Sequence, residues 1–330
     1  MLKSCDIDPS GPLAPAEFPR SRSKTMYAQA ASPSHQVFIP APSIAASTAT
    51  FERLLDAIER NLLRCATSQE QSTRSNADTA VAYHLRSGGQ RIRARLAIHA
   101  GLRLYLAFGD IVALATTAEL LHNASLIHDD LQDRDTLRHG VATVWSAFGD
   151  STAICAGDLM LAAAYGALGE FTHVALLPAL LNLTMARIAK AIHGQCMDLA
   201  GPVRNDIASY EAMAMAKSGA LLSLPTELAL LAGGRADGLA SARRAAESFA
   251  VGYQIIDDID DIGIDSNPLK IARSFNIVLL LQAGGQVGAR AAAVRLAQQH
   301  FERAAAAASE LPDGTGVLLT TLIWRLAQRL

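Results

Sequence analysis

Four aspartates fall within seven residues, at Asp129, Asp130, Asp133 and Asp135, just after the apolar pair Leu126-Ile127. On a helix, side chains three and four positions apart share a face, so Asp129, Asp130 and Asp133 project toward a common point. Carboxylates held that close repel one another unless a cation lies among them. Magnesium suits the spacing, because it takes one or two carboxylates, keeps several waters and shares its other positions with phosphate oxygens. A second cluster, Asp257, Asp258 and Asp261, repeats the pattern after Ile255-Ile256. Two such clusters in one chain predict a diphosphate held through metal. The alternatives for either cluster alone are a solvated acidic helix end, or, for the first, carboxylates paired with Arg134 and Arg138.

Cationic groups of matching chemistry lie elsewhere in the chain. Gly88 and Gly89 interrupt a helical pattern, and Arg91 and Arg93 follow at the start of the next helix. Helix N-termini and guanidinium forks both favour anions, although a glycine turn with solvated arginines would look the same. Lysine occurs only at positions 3, 24, 190, 217 and 270, and Lys217 closes the run Met213 to Ala216. It reads either as a helix cap or as a point charge for a phosphate. His122 precedes Asp129 by seven residues, two turns along the same face, so it is a core histidine or a group looking into the same cavity. Thr136 to Ala142 read as a loop, closed by Gly140, that carries Arg138 and His139 beside the aspartates.

The elements that position these groups read as helices. Half of the 330 residues are hydrophobic but only 5% are aromatic, and alanine and leucine dominate, which favours an all-α fold with a large core. Phe51, Leu54, Leu55, Ile58 and Leu62 recur at helical spacing. Asp110 is expected to cap the helix leading to the first cluster, Asp206 the one ending at Lys217, and Asp237 to open the one bearing the second cluster. Pro225 predicts a kink. Residues 1–47 hold seven of the twelve prolines among Ser and Ala and read as a disordered tail, leaving 48–330 as a single helical domain.

Arg20, Arg22 and Lys24 resemble part of a transit peptide, but Asp6, Asp8 and Glu17 oppose it, so a cytoplasmic location is expected. The net charge of −2 and scattered arginines argue against a nucleic-acid partner. Cys5, Cys65, Cys155 and Cys196 form no paired motif, which argues against a zinc site or a disulfide framework. No apolar run is read as reaching the roughly 18 to 20 uncharged residues of a membrane span.

Taken in order, Gly88-Gly89-Gln90-Arg91-Ile92-Arg93, Ser125-Leu126-Ile127-His128-Asp129-Asp130, Arg138-His139-Gly140, Gly157-Asp158, Gly194-Gln195 with Asp198, Lys217-Ser218 and Gln254 with Asp257-Asp258 resemble the trans-isoprenyl diphosphate synthase, or polyprenyl synthetase, family over roughly residues 80–264. The resemblance implies a bundle of antiparallel helices around a central cavity, a homodimer, and three magnesium ions, for which manganese could substitute. It implies that Asp129, Asp130, Asp133, Asp257, Asp258 and Asp261 hold the metal. Arg138, Lys217, Ser218 and Gln254 would contact the allylic diphosphate, and Arg91, Arg93, His122 and His139 isopentenyl diphosphate. The implied chemistry is ionisation of the allylic diphosphate in a dry apolar cavity, attack by the isopentenyl double bond and loss of a proton, which lengthens the chain by five carbons.

Product length would be set by the helix floor below the first cluster. Ala124 and Ser125 are small, and Leu120 and Leu121 lie one turn further down, a ladder that points to a C20 product, geranylgeranyl diphosphate. Three departures from the family pattern stand out. Gln90 replaces a lysine, His139 replaces an arginine and makes its charge depend on pH, and Phe275-Asn276-Ile277-Val278 stands where Lys-Thr-Leu-Pro is expected, with Lys270 nearby. A class I terpene cyclase shares the first motif but carries an Asn/Ser/Glu-type second site. A non-catalytic partner subunit tends to lose the aspartates that this chain keeps.

Overall fold

The helix α4 (Phe108–Asp133) carries apolar residues on all its sides instead of along one stripe, so other helices must enclose it. In a computed structural model of the protein, which describes residues 44–68, 70–201, 206–262 and 275–330, they do. Packed on it are α1 (Ile44–Ala66), α3 (Ile92–Arg103), α6 (Asp150–Leu168) and α9 (Ala220–Ala232). The stripe Leu54, Leu55, Ile58 and Leu62 of α1 is buried, as its periodicity predicts. This helix starts at Ile44, so the last four positions of the expected tail are helical, and residues 1–43 lie outside the described residues. Small side chains let α6 approach α4 closely. A Cβ on Gly157 would overlap the His128 ring.

A second apolar group gathers α8 (Ile207–Ala214), α10 (Leu239–Asp260), α11 (Ile277–Ala283), α12 (Ala289–Ser309) and α13 (Val317–Ala327) around Tyr210, Phe249, Phe301 and Leu326. The helix α9 joins the two groups, giving Leu221, Leu224 and Leu228 to the first and Leu222 to the second. Towards α7 (Leu177–Ala200), α9 offers Glu227, which accepts from Arg187 Nε and Nη2 at 2.6 and 2.8 Å.

Helix starts match the expectations in part. Asp206 caps α8 through the Ser209 N–H, at 2.7 Å. Asp110 caps nothing: it sits inside the first turn of α4 and accepts from Thr172 N and Oγ at 2.8 and 3.0 Å, tying α4 to the loop beyond α6. Asp237 lies in a 3-10 turn before α10 and pairs with Arg235. Ser75 and Asp78 form a reciprocal capping box at the start of α2 (Asn76–Arg86), which satisfies two backbone donors at once.

Asp150–Leu168 and Val174–Ala200 are each long and apolar enough to cross a membrane by length and composition, but charged residues interrupt both, so the expectation that no apolar run reaches roughly 18 uncharged residues stands. Their few charges are met by protein partners: Arg134 on Asp150, His128 on Asp158, Glu227 on Arg187 and Glu247 on Lys190. Leu181, Met185, Ile192 and Leu199 remain exposed along α7.

Candidate active site

The chain reverses directly after the first aspartate cluster. The helix α4 ends where Arg134 enters the left-handed region at φ +58°, and a hairpin follows, β1 (Leu137–Arg138) paired with β2 (Val141–Ala142). Its two turn residues, His139 and Gly140, have φ of +53° and +75°, the pattern of a type I′ turn. The expected loop is therefore a hairpin, and it folds Arg138 back onto Asp130. Arg138 Nε lies 2.9 and 3.1 Å from the two carboxylate oxygens and Nη2 lies 2.6 Å from one of them. Asp130 is 1% exposed and both its oxygens accept from Arg138, which holds the hairpin against the end of α4. Arg134 turns away to Asp150 and stacks on Trp145.

Asp129 meets a different partner. Between α8 and α9 the backbone takes a π-helical turn, Met215–Gly219, and this places Lys217 in the interior beside α4. Its Nζ lies 3.3 Å from Asp129 Oδ1 and also pairs with Asp198. A Cβ on Gly194 of α7 would overlap the Lys217 backbone nitrogen, so glycine there is a condition of the approach. Burial alone would lower the Lys217 pKa, but Asp129 and Asp198 more than offset it and hold the ammonium charged. Asp133 is pushed up to about 6 by burial and by Asp129. The spacing rule holds: the carboxylates crowd one another as α4 ends. Ser218, next to Lys217, is buried.

The second cluster divides in the same way. Asp258 accepts hydrogen bonds from Tyr210 Oη (2.8 Å), Gln254 Nε2 (2.9 Å) and Ile277 N (2.8 Å), while its backbone carbonyl accepts from Asn276 Nδ2 at 2.8 Å. Asn276 also caps α11. Asp258 thus fastens α10 to α8 and α11, and Gln254 donates to it. Asp257 is buried beside it, and Asp261 ends α10. Burial, then Asp258, Asp257 and Asp198 in turn, raise the Tyr210 hydroxyl well above its usual value. Since Asp198 also acts on Asp133, the two clusters border one electrostatic region. Lys270 lies outside the described residues.

On α3 the two arginines part. Arg91 stands at φ +50° and gives its guanidinium to Glu59 at 2.6 and 3.1 Å and to Leu85 O at 3.0 Å, which ties the start of α3 to α1. Arg93 is buried, and its Nε has no hydrogen-bond partner among the described residues; neither does His122 Nδ1. Burial draws Arg93 down to about 10 and, with Arg93 and Arg138 close by, keeps the His122 imidazole neutral. Two orphaned buried groups in a cationic setting are what an incoming anion would satisfy. His139 is exposed at the hairpin tip.

Residues not singled out by spacing complete the region. Glu119 accepts the Ala94 N–H at 2.9 Å, and Asn123 meets His84 Nε2 at 3.1 Å. A polar pair four apart on an otherwise apolar helix was the available signal. Burial, then Arg138, hold His84 down to about 4; burial likewise holds His99 to about 4. Unfolded, both titrate near 6.5, so the unfolded chain takes up protons first as pH falls. The stability these neutral rings contribute is complete above pH 6.5 and lost between 6.5 and 4. For His84 that loss is on the order of 2 to 3 kcal/mol. Urea midpoints measured across this window should fall, and should fall less steeply in His84→Gln; equal slopes would contradict the assignment.

Among the described residues no three acidic, histidine or cysteine groups converge into a ready-made metal cage. The donors nonetheless fit magnesium, which needs only one or two carboxylates per ion. Among the described residues, buried Asp129 Oδ1 has no close partner but the Lys217 ammonium 3.3 Å away. Asp129 and Asp133 of the first cluster, with Asp257 of the second, are the carboxylates that would hold the metal.

A family model described as polyprenyl synthetase matches residues 75–271. A (2E,6E)-farnesyl diphosphate synthase of Mycobacterium tuberculosis is 36% identical over 159 residues, covering 47% of this chain and 43% of its own. Geranylgeranyl pyrophosphate synthase 7, chloroplastic, of Arabidopsis thaliana is 35% identical over 206 residues, 58% of each chain. The chain thus spans about half the length of the curated relatives it matches. A solved geranylgeranyl pyrophosphate synthetase from the archaeon Geoglobus acetivorans superposes with a TM-score of 0.72 at 21% identity, over 86% of this chain and 98% of that one, a likeness of fold.

Proposed function

The chain belongs to the polyprenyl synthetase family, and from that premise we propose that it condenses isopentenyl diphosphate with an allylic diphosphate to give an all-trans prenyl diphosphate, geranylgeranyl diphosphate. The observation that carries this reading is the pairing of two buried cationic sets around α4. Lys217 lies against Asp129, and Arg93 Nε and His122 Nδ1 have no hydrogen-bond partner among the described residues. Each set suits one diphosphate.

Lys217, held charged, binds the allylic diphosphate and follows the negative charge that develops as the carbon–oxygen bond ionises. Arg93 donates to the second diphosphate, and neutral His122 accepts or donates one further hydrogen bond there. The apolar walls of α4 and α6 exclude water from the allylic cation. Magnesium, when bound by Asp129, Asp133 and Asp257, supplies neutralising charge to the leaving group. The proton released in the last step passes to the departing diphosphate.

The test is to supply purified protein with magnesium, isopentenyl diphosphate and farnesyl diphosphate and to read the product's carbon number. Absence of any condensation would reject the reading, and a hydrocarbon released from a C20 diphosphate alone would favour a cyclase. Product length rests on Ala124, 1% exposed, and on Ser125, whose hydroxyl stays on its own helix at His122 O, 2.7 Å. Leu121 follows one turn down, also buried. Ala124→Phe is expected to shift the main product from C20 to C15 or shorter, at a cost of about 1–3 kcal/mol in stability. Chromatography of the hydrolysed products decides it; an unchanged C20 product would reject Ala124 as the floor.

A homodimer is part of the same proposal. The exposed stripe Leu181, Met185, Ile192 and Leu199 gives α7 an apolar face that a second copy would cover, and the mass of the protein in solution tests it.

A further inference from the structure

A cavity of about 720 Å³ opens between α1, α2 and α5 (Val144–Phe148), and none of the residues lining it belongs to the site described above. Its volume falls within the range of small-molecule sites. Four arginines, Arg60, Arg64, Arg74 and Arg86, stand around it. Arg64 is engaged by Asn61 and Glu170. Among the described residues no carboxylate pairs with Arg60, Arg74 or Arg86, and Arg74 makes only a long hydrogen bond, 3.4 Å, to Ser68 O. The one acid in the lining, Asp78, is already spent on the capping box of α2, where it accepts from Ser75 N at 2.8 Å.

The floor has a different character. Tyr83 and Phe148 meet edge to face with ring centroids 5.3 Å apart. The Tyr83 hydroxyl is fixed on Ala142 O at 2.8 Å, so the ring presents its apolar body to the groove. Ala142 belongs to the hairpin that holds Arg138 on Asp130. In a chain whose net charge is −2, three arginines that no carboxylate among the described residues pairs with, lining one cavity with an aromatic pair, form a local reversal of charge beside a hydrophobic surface.

We infer that this groove is a second binding site, for an organic phosphate or diphosphate with an apolar body. Arg60, Arg74 and Arg86 take the phosphate oxygens, for which guanidinium forks are suited, and Tyr83 and Phe148 take the body. A prenyl diphosphate is the member of that class nearest to hand, an identification that rests on the proposed function; the site's anion chemistry does not. Because no carboxylate is free in the lining, binding here needs no divalent metal, which separates it from the aspartate site.

The test uses the full chain in EDTA, with geranylgeranyl diphosphate as the probe and titration calorimetry as the readout. One equivalent per chain is expected to bind without magnesium. The affinity should fall at least about tenfold in the double variant Arg60→Gln, Arg86→Gln, and should weaken with added salt. No metal-free binding, or binding that the double variant leaves unchanged, would overturn the inference. So would capture of the protein by phosphatidylglycerol vesicles that depends on these arginines, where the soluble diphosphate does not bind. Turnover with magnesium is measured on the same samples and should be equal in wild type and double variant. Wild type that fails to turn over but retains the metal-free site would defeat the proposed function and leave the groove standing; turnover without the metal-free site would do the reverse.

Discussion

Asp129→Asn is expected to lower turnover by about a thousandfold while moving the unfolding midpoint little. Among the described residues, buried Asp129 Oδ1 has no close partner but Lys217 at 3.3 Å, and Asp129 and Lys217 are the pair to which the proposed reaction assigns metal and diphosphate. Removing it relieves crowding on Asp133 and leaves Lys217 its second partner, Asp198, so the fold is not left with an isolated buried cation. The neighbouring Asp130→Asn should behave in the opposite sense. It would strip Arg138 of a bidentate partner that is 1% exposed, at a cost of about 3 kcal/mol in stability, and depress turnover less than the change at Asp129. Steady-state kinetics and urea unfolding of the two variants side by side give the answer. If Asp130→Asn proves as inactive as Asp129→Asn with an unchanged midpoint, the division of labour drawn here is wrong.

That division explains what the sequence could disclose. Helical periodicity and the three-and-four spacing of aspartates depend on neighbours within two turns, and both were legible. The reversal that brings Arg138 onto Asp130 depends on two consecutive left-handed residues, of which only Gly140 announces itself. Asp258 is claimed by the Ile277 N–H, 19 residues later, and by Tyr210, 48 residues earlier, so no local pattern could separate it from Asp257. Arg91 and Arg93 look alike in sequence, yet a left-handed backbone turns one to Glu59 while the other is buried without a partner at Nε. Lys217 was legible as a scarce lysine after an apolar run, but the π turn that carries it inward was not. Segments as apolar as α6 and α7 satisfy the length and composition of a membrane span, and only their paired charges show how the fold accommodates them.

The stability of this scaffold turns on one buried pair. Arg187→Met is expected to cost about 3–5 kcal/mol, enough to unfold a marginal protein. Glu227 is 0% exposed and its two oxygens accept from Arg187 Nε and Nη2, with Ser223 Oγ adding a third hydrogen bond at 2.8 Å. The hydrogen bonds that Arg187 donates to Glu227 outweigh burial and raise the Arg187 pKa, so the guanidinium stays charged. Without the guanidinium, Glu227 keeps the Ser223 hydroxyl and, as a cation, Arg243 at 3.5 Å, a half-exposed partner that solvent screens. The carboxylate would then be buried with too little compensation, between α7 and the helix α9 that joins both apolar groups. The double change Arg187→Met, Glu227→Leu removes both charges together and should recover much of the loss, because an apolar pair of similar volume carries no desolvation penalty. Urea midpoints for the two single variants and the double variant close the cycle. A double variant as unstable as the sum of the singles would mean that the pair acts through packing and not through charge.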